Sequence, residues 1–433
     1  MTSKLNSIVY LPIEFGSREF DAKALLATVL ASRGYSVAIG TQRTLLHFIK
    51  VLPPGIILFK SFNNFHHLSM RMGRKYHNKV VVLEEELLTH IEKRAIGNYC
   101  TKDIFTLVDE IYANSEHEKA VLAEFSGGAV PIHVTGNARV DLLKPKYRDF
   151  FKRDIDAVRA RFGDFVLINT NFGTVNSMWG MERVKEVHVE CGFVNPDDPE
   201  SLKAWNDQVE FEHLNRAAML TVIEELSRRR PNQKIVVRPH PNEALQHWEG
   251  VFDTPNISVV REGSHLPWTL ASQLLLHTSC TTGFEAHVAG KVAMSLITKP
   301  NWITQSFISN RLNLVFTDPF EMAEAADAYL QGGPAPSGTL SVADAESYVW
   351  NIGDNAGVTR LADLLTRDLP RPTGTVPFPR VPPSPISDEQ KSKFGLTFQD
   401  CADVFTRLIP IVGGERKLRF DDVGNNIYYL SPA

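Results

Sequence analysis

Cysteine is scarce in this chain: among 433 residues only Cys100, Cys191, Cys280 and Cys401 occur, far apart and with no C-x-x-C pair. That spacing argues against a disulfide framework or a cysteine-based zinc site and fits a reducing compartment. Long apolar runs are missing as well. No stretch approaches the roughly 20 apolar residues that span a bilayer. The N-terminal MTSKLNSIVYLPIEFGSREF has an apolar run too short for a signal-peptide core, broken by Pro12 and Glu14. Neither sign of charge dominates, since 46 basic against 50 acidic residues leave a formal charge of −4. Nothing therefore drives the whole chain toward nucleic acid or an anionic membrane. The sequence also lacks G-x-x-x-x-G-K-[ST], which excludes a P-loop kinase or ATPase, and it lacks G-x-G-x-x-G after any strand-like run, which argues against a dehydrogenase. No D-x-D stands at a convincing strand end, so no metal and no cofactor are expected.

Ordinary globular material is present: 43% apolar and 22% charged residues. At roughly 150 residues per domain, this length predicts two or three domains. Short β-branched runs alternate with longer amphipathic stretches through the first 330 residues, which predicts α/β architecture with parallel sheets and crossover helices. SIVYLPI, SVAIG, GIILFK, VVVLEEE, EIYAN and PIHVTGN read as strands of a first unit; FVLINTN, KIVVRPHP, NISVV, QLLLHTS and KVAMSLI read as strands of a second. Ser115 and Glu118 have capping-box spacing. The expectation is two Rossmann-like domains facing a cleft: residues 1–155, then 156–335, with a proline-rich extension over 336–433 packing back on the first.

Two strand ends in the second unit carry the most chemistry. KIVVRPHP places Arg238 and His240 at the carboxyl edge of a sheet, where open α/β folds bind ligands. LLLHTSCTTGFEAHVAGK places Thr278, Ser279, Cys280, Thr281 and Thr282 ahead of a helix, and unpaired amides with the helix dipole favour phosphate there. Glu285, three residues after Thr282, reads equally as a capping-box glutamate or a ribose ligand. Asn169, Asn171 and Gly173 stand at the mouth of the same sheet. A cationic edge beside a hydroxyl-rich one describes a nucleotide held as the leaving group of an activated molecule. In the first unit, Glu14, Arg18, Glu19 and Asp21 follow one strand and Glu84, Glu85 and Glu86 another. Glu14 and Glu85, with Asp21, are the candidates for base or nucleophile. The bland reading is that Glu19 and Asp21 stabilise a helix start. Arg18, Glu84, Asn137 and Arg139 are candidate acceptor contacts. The basic stretch holding His66, His67, Arg71, Arg74, Lys75 and Lys79 reads as a solvated helix face.

LPIEFGSREFDAKALLATVLASRGYSVAIG, VVLEEELL, VTGNARVDLL, LINTNFGTVN, VVRPHP and HTSCTTGFEAHVAGK together resemble bacterial surface carbohydrate biosynthesis proteins of the glycosyltransferase-B (GT-B) superfamily. RPHP with the later hydroxyl loop is similar to the HP and serine-pair motifs of CMP-sugar-dependent capsule Kdo transferases, sialyltransferases and teichoic-acid CDP-glycerol transferases. The resemblance implies that Arg238 and His240 meet phosphate, and that Ser279, with Thr278, Thr281 or Thr282, meets phosphate or ribose. Cys280 departs from the paired-serine pattern. The implied activity is metal-independent transfer of a nucleotide-activated sugar, foremost a CMP-linked 3-deoxy-ulosonate, to a surface polysaccharide or lipid-linked acceptor of capsule or lipopolysaccharide type. The implied location is the cytoplasm, at most peripheral on the inner membrane, with no nucleic-acid partner. VTGNARVDLL is also similar to UDP-GlcNAc 2-epimerases, which makes an epimerase the second reading. A non-catalytic nucleotide-sugar-binding subunit of a polysaccharide assembly complex is the third.

Overall fold

Runs such as IVYLPI, IILF and FVLIN contain no polar break, so as strands they must be covered on both faces. In the computed structural model every residue of all three is buried. The structure describes residues 5–63, 66–98, 102–190, 192–383, 387, 393–414 and 416–433. Cys100 and Cys191 lie outside the described residues; Cys280 and Cys401 are buried free thiols. The chain forms two compact units: Met1–Leu88 with Ile96–Phe150 and Ala345–Ala433, and Thr89–Ala95 with Phe151–Asp344.

The first unit is built on β1 (Ile8–Ile13), β2 (Ser36–Thr41), β3 (Ile56–Phe59), β4 (Lys79–Leu83), β5 (Glu110–Ala113) and β6 (Ile132–Val134), all parallel. β13 (Leu418–Gly424) and β14 (Ile427–Pro432) form a hairpin that joins antiparallel to β2. The order is β13-β14-β2-β1-β3-β4-β5-β6. Strand order reverses between β1 and β3, the switch point where α/β sheets bind ligands. The hairpin turns through Asn425 and Asn426 at φ 55° and 57°, a left-handed pair that Asn tolerates. The helix Gly16–Ser32 packs on Gly357–Arg367 and on Phe398–Val412; Phe20 meets Phe405 edge-on at 6.0 Å.

The second unit contains β7 (Phe165–Asn169), β8 (Lys234–Arg238), β9 (Ile257–Val259), β10 (Leu274–His277), β11 (Ala293–Leu296) and β12 (Leu314–Phe316). The sheet order is β12-β11-β10-β7-β8-β9, and every pair is parallel. The chain moves from β7 outward through β8 and β9, then returns to place β10 on the other side of β7. The switch point is therefore β7/β10. Helices Met181–Glu190 and Pro199–Arg229 fill the insertion between β7 and β8. The unit boundaries differ from the expected 155 and 335 for local reasons. Residues 338–340 hydrogen bond to the carbonyls of Arg311 and Leu312, and Thr89–Ile91 pairs with Ser306–Ile308, so both segments fold with the second unit.

Candidate functional site

In the second unit, three loops leave the carboxyl ends of adjacent strands β10, β7 and β8. Asn169 ends β7 in register with His277 on one side and Arg238 on the other. The loops after β7 and β8 are tied together by Glu243, which is fully buried. Its Oε1 accepts from Thr170 Oγ1 at 2.6 Å, Phe172 N at 3.1 Å and His240 N at 3.1 Å. Its Oε2 accepts from Asn176 Nδ2 at 2.9 Å and Trp248 Nε1 at 3.1 Å. Glu243 was not singled out from sequence; a carboxylate three residues after His240 in RPHPNE was the available signal. Glu212 plays a similar part, accepting from Thr174 N, Thr174 Oγ1, Val175 N and Gln208, while burial pushes its carboxyl up.

The helix Thr281–Val288 starts from Cys280, which gives no side-chain cap, so no side chain of the cap satisfies its first amides; the Gly283 amide donates to the Cys280 carbonyl at 3.2 Å. Ser279 sits at φ 52° and its Oγ accepts from Asn310 Nδ2 at 2.7 Å. Asn171 Nδ2 reaches the Ser279 carbonyl at 3.5 Å, bridging the β7 and β10 loops. Gly283 is required where it stands, because a Cβ would lie 2.2 Å from His277 Nε2. Burial holds the His277 imidazole down to about 3, hence neutral. Asn169, Thr278 and Thr282 are buried, and the Asn169 side-chain amide and both threonine hydroxyls find no hydrogen-bond partner among the described residues. Buried polar groups are nearly always satisfied; unmet ones gathered at a switch point mark a place for a polar guest.

Two expectations here need correction. Arg238 is not presented to a phosphate: its Nη1 and Nη2 donate to the Glu262 and Gly263 carbonyls at 2.8 and 3.2 Å, and its guanidinium lies 4.6 Å from the Trp268 ring centroid. Burial brings it down to about 10. Glu285 is not a capping-box residue, because the helix begins at Thr281; its buried carboxylate pairs with His265. Thr281, at the first turn, is half-buried, and His240 and Asn171 line a cavity with Trp179.

In the first unit, the carboxyl ends of β1, β3 and β4 gather a buried charge network. Lys60, directly after β3, bonds Glu14 at 2.7 Å, Glu86 at 2.9 Å and Glu19 at 3.2 Å. Lys23 bonds Glu19 at 3.0 Å and Glu85 at 3.4 Å. Burial opposes charge on Glu19, yet Lys23, Lys60 and the Phe15 and Glu14 amides hold its carboxyl far below the usual range. Glu85 goes the other way: burial raises it, and Lys23 only partly offsets this. Arg18, Glu85, Glu86, Lys60 and Arg139 line one recess. Lys23 and Lys60, the cations that organise this network, were missed from sequence.

Three candidates do not join it as expected. Asp21 is close enough to Cys401 of the helix Phe398–Val412 for its charge to help raise that thiol. Asn137 is a buried helix cap, accepting from Arg139 N at 2.9 Å and exchanging bonds with Asn351. Glu84 is fully buried, accepting from the Phe62 and Glu86 amides. The Ser115 capping box is half-formed: Ser115 accepts from Glu118 N, but Glu118 turns to Asn114.

The basic stretch contains two kinds of residue. His66 is buried and held down to about 4, chiefly by burial, and His67 and Arg74 pair with Asp103 and Asp109. No Asp or Glu occurs between Asp21 and Glu84. Helices Gln42–Phe48 and His67–Lys75 pack side by side and expose Arg43, Arg71 and Lys75, with Leu68 70% exposed; the turn after the first adds exposed Lys50 and Val51, the latter 59% exposed.

No family model and no curated protein matches the chain. Solved structures do match. One is a wall teichoic acid polymerase, TagF, soaked with CDPG: TM-score 0.51 at 8% identity, covering 84% of this chain and 89% of that one. Another is a UDP-GlcNAc 2-epimerase from Methanocaldococcus jannaschii in complex with UDP-GlcNAc and UDP: TM-score 0.53 at 12% identity, covering 83% and 99%. The fold is of the GT-B type. At these identities the likeness establishes the architecture of two Rossmann-like domains and leaves the chemistry to the residues. No helix among the described residues is long and apolar enough to cross a membrane.

Proposed function

We propose that this chain is a metal-independent glycosyltransferase that uses a nucleotide-activated sugar, with a CMP-linked 3-deoxy-ulosonate as the foremost substrate and a bacterial surface polysaccharide or lipid-linked glycan as acceptor. The observation behind this reading is the set of unmet polar groups of Asn169, Thr278 and Thr282 at the β7/β10 switch point, beside a helix start without a side-chain cap. A nucleotide phosphate meets the amides of that helix, with Thr281, Asn171 and His240 around it. Arg238 acts one step back, by fixing the Glu262–Gly263 turn.

In the reaction, the acceptor oxygen bonds to the anomeric carbon as the bond from that carbon to the phosphate oxygen breaks. The electron pair leaves with the nucleotide, and the acceptor proton passes to a carboxylate. Within the first unit Glu85 has the properties of such a base: it lines the recess with Arg18 and Arg139, and burial raises its proton affinity. Glu14, bound to Lys60 at 2.7 Å, anchors the recess. Charge on the departing phosphate is met by fixed amide dipoles, typically the largest catalytic term. In this reading the protein works in the cytoplasm and at most peripherally on the inner membrane, which the exposed basic residues Arg43, Lys50, Arg71 and Lys75 beside Leu68 and Val51 support.

Incubation with CMP-, CDP- and UDP-activated sugars, with mass spectrometry of the products, tests the activity. Free nucleotide with a glycosylated acceptor, or slow hydrolysis of one activated sugar, is the expected outcome. A C2-epimerised UDP-sugar would establish an epimerase instead, and binding without turnover of any compound a non-catalytic subunit.

A further inference from the structure

Beyond the switch point, the second unit contains a cavity of about 230 Å³ between the β7 and β8 loops and the inserted helix Met181–Glu190. Val184 and Val187 form its apolar wall, Asn171, His240 and Asn242 its polar side, and Trp179 lines it with 47% of its surface exposed. A half-exposed indole presents an apolar face with a polar edge, the combination that suits a binding surface. Nor is it there by looseness. Trp179 N donates to Ser177 Oγ at 3.1 Å, Met178 N to the Asn242 carbonyl at 2.9 Å, and Ser177 bridges Glu243. The ring is thus displayed on a loop knitted to the residues after His240.

The lining decides the ligand class. Among the described residues no lysine or arginine lines the cavity; its two histidines are His240, at the edge toward the switch point, and His188, whose protonation burial disfavours, so a phosphate meets no fixed cation there. Its buried carboxylate, Glu212, is spent on Thr174, Val175 and Gln208. The Asn242 backbone is engaged, its N–H donating to His240 Nδ1 and its carbonyl accepting from Met178 N, while its side-chain NH₂ and C=O make no hydrogen bond with the described residues. A hydroxyl both gives and accepts, so it pairs with either end of an amide. A single open aromatic face beside amide groups is complementary to a sugar ring, which lays its C–H face on the indole and turns its hydroxyls to the amides. We propose that this cavity is a carbohydrate subsite for one neutral sugar ring, stacked on Trp179 and hydrogen bonded by Asn242. The assignment rests on the reading that the chain handles a sugar, and adds where an uncharged ring is held.

Saturation-transfer NMR on the full chain, with methyl glycosides of glucose, galactose, mannose and N-acetylglucosamine and separately with CMP, tests it. At least one glycoside should bind. Trp179→Ala and Asn242→Ala should each weaken it by about tenfold, while Trp179→Phe retains binding and CMP affinity changes less than about twofold. Unchanged thermal unfolding of the variants keeps the comparison fair. If an intact nucleotide-sugar displaces the glycoside and CMP does not, the ring belongs to the activated sugar; if both bind together, it belongs to the acceptor; each result supports the subsite. Absence of glycoside binding, or an equal loss of CMP and glycoside affinity in Trp179→Ala, overturns it. Glycoside binding without any nucleotide binding would remove the transferase reading and leave the subsite standing.

Discussion

Glu243 offers the sharpest test of how the second unit holds its loops, because five donors converge on one buried side chain. Glu243→Gln keeps the volume and changes one oxygen to an amide. The remaining carbonyl goes where three donors meet, at Thr170, Phe172 and His240. The new NH₂ then faces Asn176 Nδ2 and Trp248 Nε1, donor against donor. A flip of Asn176 would relieve its half only with a change of tautomer at His247, whose Nδ1 meets Asn176 Oδ1 at 2.8 Å, and would still leave Trp248 Nε1 facing a donor. Two hydrogen bonds to a charged acceptor, each worth about 1.5–3 kcal/mol, are lost, or about 3–6 kcal/mol together. For a unit of this size each kcal/mol moves Tm by about 2–4 °C, so the transition of the second unit should fall by at least about 6 °C in calorimetry. Nucleotide binding should weaken as the His240 loop loosens. A variant melting within about 2 °C of the parent would refute the view that this carboxylate organises the strand ends.

Asn169→Leu removes an unmet amide, so Tm should hold or rise, by up to about 1–3 kcal/mol of stability, while CMP titration shows weakened binding; unchanged binding would remove Asn169 from the site. Glu118, fully buried, is pushed up to about 7 by burial. The native state therefore keeps a proton that the unfolded chain loses above about 4.5, and the stability this confers is complete below that pH and lost as pH rises through 7. Glu118→Gln cannot ionise, so unfolding at pH 8 should show it ahead of the parent by on the order of 3 kcal/mol, with no advantage at pH 4. Gly283→Ala drives a Cβ to 2.2 Å from His277 Nε2 and should cost about 1–3 kcal/mol or more, read as lost soluble yield or lowered Tm. Reversing charge at Arg71 and Lys75 together should abolish sedimentation with vesicles containing phosphatidylglycerol and leave the catalytic assay in solution unchanged.

The parallel sheets were legible because their strands are unbroken apolar runs that have no other home. The terminal hairpin was legible too but was passed over: VGNNIYYL holds an Asn-Asn turn between strand-like runs, and Asn425 and Asn426 adopt the left-handed φ that such a turn demands. Site residues divide along a physical line. Strand-end position can be read from sequence, since it depends on where an apolar run stops; this placed Arg238, His240, Thr278 and Glu85 at carboxyl edges. What a side chain does there depends on partners far along the chain. Arg238 was read as a phosphate ligand because a guanidinium at a β-edge is available in one dimension; in three, two carbonyls and the Trp268 ring claim it. Asn169 was the weaker candidate from its residue type, yet its side chain is one of those left without a partner among the described residues. The distinguishing quantity is unmet hydrogen-bonding capacity after folding. It is a property of the packed structure, and it points to Asn169, Thr278 and Thr282 more strongly than charge pointed to Arg238.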